Sequence, residues 1–77
     1  MEKDEIIEQL IKQLIFGKVI SITKIQRYFR FGYSKSKSVI DSLLMQGVLE
    51  KVEQGYLIIK EQEFVEQLNK ILSKYGV

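Results

Sequence analysis

The sequence predicts an α+β fold, mainly helical, with four helices and a two-stranded β-hairpin. Three observations carry this. Apolar residues recur at three-and-four spacing in four stretches, the signature of helices with one buried face. Two short β-prone runs flank Glu53-Gln54-Gly55, a hairpin signal. The breaks between the first three helices are marked by glycine and by serines suited to capping. At 77 residues the chain has room for one domain, read here as residues 1–77 with its core at 19–60.

The first helix is expected over Asp4 to Phe16, with Ile6, Ile7, Leu10, Ile11, Leu14 and Ile15 on one face. Asp4 and Glu5 sit where carboxylates favour the helix dipole, and Gly17 is the expected stop. Val19-Ile20-Ser21 reads as a short extended piece, and Ser21 as the cap of a second helix reaching Phe29 or Arg30. Ile22, Ile25 and Phe29 fall on the inner side of that helix, with Lys24, Arg27 and Tyr28 outward. Phe31-Gly32-Tyr33 reads as a tight turn in which Gly32 takes positive φ. Ser34 is the expected cap of a third helix running to Gln46, with Val39, Ile40, Leu43 and Leu44 buried and Gly47 as its C′ glycine. Strands follow at Val48 to Val52 and Tyr56 to Ile59. A fourth helix spans Glu61 to Tyr75, striped by Phe64, Val65, Leu68, Ile71, Leu72 and Tyr75. Glu61, Glu63 and Glu66 read as its solvated acidic beginning.

Helix, glycine turn, capped helix and two-stranded wing together make the winged helix-turn-helix plan. The helix-turn-helix occupies 22–46, the wing 48–59, and an added C-terminal helix 61–75.

Composition narrows the function. The chain has no cysteine and no histidine, so it lacks thiolate–zinc sites, the commonest metal ligand and the usual general base. No metal site and no small-molecule cofactor are expected. With no phosphate loop and no clustered carboxylates on the central helices, no nucleophile–base pair can be assembled, and an enzyme is not expected. The apolar runs are far too short to span a membrane, and the start Met1-Glu2-Lys3-Asp4-Glu5 is acidic, unlike a signal peptide. A cytoplasmic location is the simplest expectation. Net charge is only +2, but its distribution is uneven. Lys18, Lys24, Arg27, Arg30, Lys35 and Lys37 lie between Gly17 and Ile40 with no acid among them. That asymmetry suits a surface that meets phosphate, as it also suits a plain solvated face.

The run Ser21-Ile22-Thr23-Lys24-Ile25-Gln26-Arg27-Tyr28-Phe29-Arg30-Phe31-Gly32-Tyr33-Ser34 and its continuation Val39-Ile40-Asp41-Ser42-Leu43-Leu44-Met45-Gln46-Gly47-Val48-Leu49 resemble the C-terminal γ domain of FtsK-type DNA translocases. The likeness covers residues 20 to 52. It rests on the spacing of Gln26-Arg27, Gly32-Tyr33 and Gly47-Val48. It implies a winged helix that reads short oriented DNA sequences. That family opens its recognition helix with Asn-Arg and has a further Arg three residues on. Here Ser34 and Lys35 stand for the pair and Ser38 for the later Arg, so the family's sequence preference does not transfer. The motor's phosphate loop is absent from the sequence, and a chain starting at Met1 with a helix after the wing is expected to be a free-standing relative.

The expected function is sequence-specific binding of double-stranded DNA, by a small transcriptional or plasmid/phage regulator. Ser34, Lys35, Ser38 and Ser42 face the major groove, and Lys37 meets phosphate. Lys24, Gln26, Arg27 and Arg30 supply the second helix's side of the clamp, and Tyr33 either packs on the turn or touches DNA. Ser34 is read as a cap first and a base contact second. Glu50 and Glu53 leave the wing little beyond Lys51. A homodimer through helices 4–16 and 61–75 is a further expectation, with Phe64, Leu68, Ile71, Leu72 and Tyr75 facing a second copy. The alternative packs the fourth helix on the first within one chain. A second functional reading, a protein-interaction winged helix without DNA binding, fits the acidic wing.

Overall fold

A computed structural model describes residues 3–76, and these follow the expected order. They form α1 (Lys3–Gly17), β1 (Val19–Ile20), α2 (Ile22–Phe29), α3 (Tyr33–Met45), β2 (Leu49–Val52), β3 (Gly55–Ile58) and α4 (Glu61–Lys74). The acidic start at Met1-Glu2, the Asp4 carboxylate and Val77 lie outside the described residues. The architecture is an α+β winged-helix-like fold.

The sheet is larger than the two-stranded wing expected. β1 joins it as a third strand, in the order β1-β3-β2 and antiparallel throughout. Val19 lies opposite Leu57 and Ile20 opposite Tyr56, while Leu49 to Val52 pair with Ile58 to Gly55. Two residues carry no readable alternation, so β1 shows in sequence only as an extended connection. The turn is also tighter than expected. Glu53 and Gln54 alone form it, because Gly55 is already paired with Val52. Gly55 has φ +147°, and a Cβ there would stand 2.5 Å from the Ile20 carbonyl oxygen. Glycine at this position is what lets β1 approach β3.

Helix ends agree with the sequence at two points and depart from it at three. The Ser21 hydroxyl oxygen accepts from the Lys24 backbone N–H at 3.1 Å, capping α2. Gly47, at φ +74°, closes α3. Its N–H donates to the Leu44 carbonyl and that of Val48 to the Leu43 carbonyl, the two bonds of a Schellman motif. After α1, however, the left-handed residue is Lys18 (φ 64°), not Gly17. After α2 it is Arg30 (φ 56°), while Gly32 is extended at φ −71°. Each side chain in that region costs roughly 1–2 kcal/mol, which packing must offset. The third departure is Ser34. Gly32 is the N-cap of α3, without a side-chain bond, so Ser34 lies inside the first turn and caps nothing.

One core gathers all four helices. Ile7, Ile11 and Leu14 of α1 meet Val39, Ile40 and Leu43 of α3 and Phe64, Leu68 and Leu72 of α4 in a single cluster. The residues of the last helix that the sequence offers to a second copy are therefore used within the chain. Phe64, Leu68 and Leu72 are buried, and Ile71 and Tyr75 pack half-buried against the same cluster. The homodimer expected through helices 4–16 and 61–75 draws no support from this packing. Ile6, assigned to the inner face of the first helix, is 45% exposed.

Ser36 is fully buried on the inner side of α3, and its hydroxyl has no hydrogen-bond partner among the described residues. An unmet buried hydroxyl costs roughly 1–3 kcal/mol, and alanine is the better helix former. Two opposite effects follow for urea unfolding. Ser36→Ala should raise stability by about 1 kcal/mol. Gly55→Ala should lower it by about 1–3 kcal/mol, because the new methyl meets backbone and not a movable side chain.

Candidate nucleic-acid interface

Burial of Ser36, Val39, Ile40 and Leu43 orients α3. At 3.6 residues per turn the opposite arc holds Ser34, Ser38, Asp41 and Met45, all exposed. Lys35 and half-buried Ser42 flank one side of this arc, and Lys37 with exposed Tyr33 flank the other. The first turn of α3 keeps its amides free of a side-chain cap.

The two flanking lysines differ electrically. Lys37 Nζ donates to Asp41 Oδ2 at 3.1 Å, one turn along the helix. That hydrogen bond, and then the Asp41 charge, hold the Lys37 ammonium above its ordinary pKa of 10.5. Tyr33 and Tyr56 add smaller contributions in the same direction. Lys35 has no carboxylate within ion-pair distance among the described residues. Its Nζ stands 5.0 Å from the centre of the Phe31 ring and 4.9 Å from that of Tyr75. Contacts of this type are worth about 0.5–1 kcal/mol at exposed sites and leave the positive charge whole.

On α2 the outward assignments need correction. Lys24 is half-buried, and its Nζ donates to the Val19 carbonyl at 3.1 Å. This bond ties the first turn of α2 to β1 and uses one of the three ammonium donors. Tyr28, expected to point outward, packs half-buried against the core. Gln26 is half-buried, while Arg27 and Arg30 are exposed and carry the free charge of this side.

The hairpin offers more than its acidic tip suggests. Lys51 lies opposite Tyr56, and its Nζ stands 4.6 Å from the centre of that ring. Alternation places this pair on the same face as Leu49 and Ile58, which turn toward the core, and Glu50 with Leu57 on the other face. The Tyr56 platform and the Phe31–Tyr75 platform were not found from sequence, because each depends on register or on contact between distant elements. A separate groove of about 530 Å³ runs between α1 and α4, with Ile7, Ile11, Val65 and Leu72 in its lining. None of the candidate DNA-binding residues lines it.

The chain is 29% identical to a stretch of the DNA translocase FtsK of Caldanaerobacter subterraneus subsp. tengcongensis, an alignment covering 99% of this chain and 11% of that protein. The similarity thus extends beyond residues 20–52 to α1 and α4. No protein-family model and no solved structure matches the chain. Among the described residues, no helix is long and apolar enough to cross a membrane.

The Lys37–Asp41 pair has a defined pH dependence. A raised folded-state pKa stabilises the fold below pH 10.5, and this contribution is lost as pH rises through the raised value. Asp41→Asn should bring the Lys37 pKa down toward 10.5, read from the ε-methylene shifts in an NMR titration. An unchanged pKa would show that Asp41 is not the partner that matters.

Proposed function

We propose that this chain is a double-stranded DNA-binding module that lays α3 in the major groove and has no catalytic role of its own. One observation carries the reading: the open arc of α3, polar but for Met45 and with Asp41 as its one carboxylate, is flanked by basic residues from a stretch, Gly17 to Ile40, that contains no acid. An α-helix fits the major groove, and N-terminal residues of a reading helix come nearest the bases. Ser34 and Ser38 then face base edges, with Ser42 at the margin. Lys35, Arg27 and Arg30 meet phosphates, Lys37 joins them on release from Asp41, and Lys51 adds a contact from the hairpin. Similarity to a stretch of a protein named a DNA translocase supports the same class of partner. Sequence-specific regulation of transcription, or of a plasmid or phage, is the finer role we attach to it.

A second reading keeps the fold and changes the partner. Asp41 lies on the open arc, Met45 is 87% exposed there, and Glu50 and Glu53 mark the hairpin. A surface of that kind suits a protein ligand.

Fluorescence anisotropy with random duplex DNA separates the two. About five neutralised phosphates should give a slope of roughly −4 to −5 for log K against log salt. Lys35→Ala/Lys37→Ala should weaken binding and make that slope shallower by about one to two. Asp41→Asn, which frees Lys37 and removes a charge facing phosphate, should tighten it several-fold. A folded wild-type protein that does not bind at low salt would overturn the DNA reading and favour a protein partner.

A further inference from the structure

Tyr75 stands just past the end of α4, far in sequence from the reading helix, yet its ring lies against the first turn of α3. Its backbone is fixed by N–H bonds to the Ile71 and Leu72 carbonyls. Its ring meets Phe31 edge-on, with centroids 5.6 Å apart and planes at 68°. Phe31 in turn lies 6.0 Å from Phe29, whose side chain belongs to the core. Rings thus run from the core to the surface, and the Lys35 ammonium rests over the last two.

We propose that Phe31 and Tyr75 are positioning residues for DNA recognition, holding the Lys35 ammonium oriented at the leading edge of α3. This rests on the DNA-binding reading and deepens it by giving the C-terminal helix a part in recognition without DNA contact. The reasoning is chemical. A lysine paired with a carboxylate, as Lys37 is with Asp41, must give up that partner before it can hold a phosphate. A ring attracts the cation through its quadrupole and neither neutralises it nor uses up every N–H donor. Free lysine side chains also lose rotamer freedom on binding, and an ammonium already held in place loses less. Lys35, like Lys51 over Tyr56 on the hairpin, is therefore prepared for phosphate in advance.

The test is a double-mutant cycle on the full chain with duplex DNA at low salt, using Lys35→Ala, Tyr75→Leu and the double variant, together with Tyr75→Phe. Tyr75→Leu should weaken binding about threefold to fivefold, the size expected when one lysine side chain must be ordered on binding instead of beforehand. Tyr75→Phe, which keeps the ring, should restore wild-type affinity. In the Lys35→Ala background Tyr75→Leu should change affinity by less than about twofold, because the cation it positions is gone. An equal loss in both backgrounds would make Tyr75 a support of the fold alone and overturn the proposal. A second readout needs no DNA. The Lys35 ε-protons should show an upfield ring-current shift that Tyr75→Leu reduces and Tyr75→Phe keeps. Intact DNA binding without that shift would overturn the positioning role only. An intact shift in a folded protein that binds no DNA would overturn the DNA reading, and this role with it.

Discussion

Burial of one side of α3 is the constraint on which the molecule's surface depends. Val39, Ile40 and Leu43 are fully enclosed, so the helix cannot rotate without exposing them. Burying a side chain of this size is worth roughly 1.5–3 kcal/mol, and three of them outweigh any preference of the polar side. Ser34, Ser38, Asp41 and Met45 are outward because the other side must be inward. Ser36 shows the strength of the constraint, since its hydroxyl is carried into the core without a partner.

The remaining elements close that core in a small chain without disulfides. α1 and α4 supply the apolar side chains that a three-helix unit of this size would lack. β1 binds the hairpin to the start of α2 through Gly55, and the Lys24 ammonium ties α2 back to the Val19 carbonyl. The hairpin therefore stands as a braced arm beside α3, and Lys51 on Tyr56 is held on its core-facing side.

Element order and type were legible in the sequence because each rests on a local pattern. Apolar spacing marked the helices, Ser21 and Gly47 marked two of their ends, and Glu53-Gln54-Gly55 marked the hairpin. What stayed hidden depends on three-dimensional choice. Gly17 and Gly32 favoured left-handed backbone by residue type, but the chain made those turns at Lys18 and Arg30, where tertiary packing set the helix lengths. The third strand is two residues long and defined only by its partner. In the candidate site, the identity of the basic residues was legible and their state was not. Lys24 is engaged with backbone, Lys37 with a carboxylate and Lys35 with two rings, while Arg27 and Arg30 stand exposed.

These differences turn an evenly basic segment into a graded surface, in which charge is most available at the N-terminal edge of α3 and the end of α2. That placement is the central claim, and it is most directly tested by titrating the ¹⁵N-labelled chain with a short duplex and following backbone amide shifts. The expected result is a contiguous set of changes at residues 33–38, at Arg27 and Arg30, and more weakly at Lys51. Changes confined to the groove between α1 and α4, or to the Glu50 side of the hairpin, would contradict it.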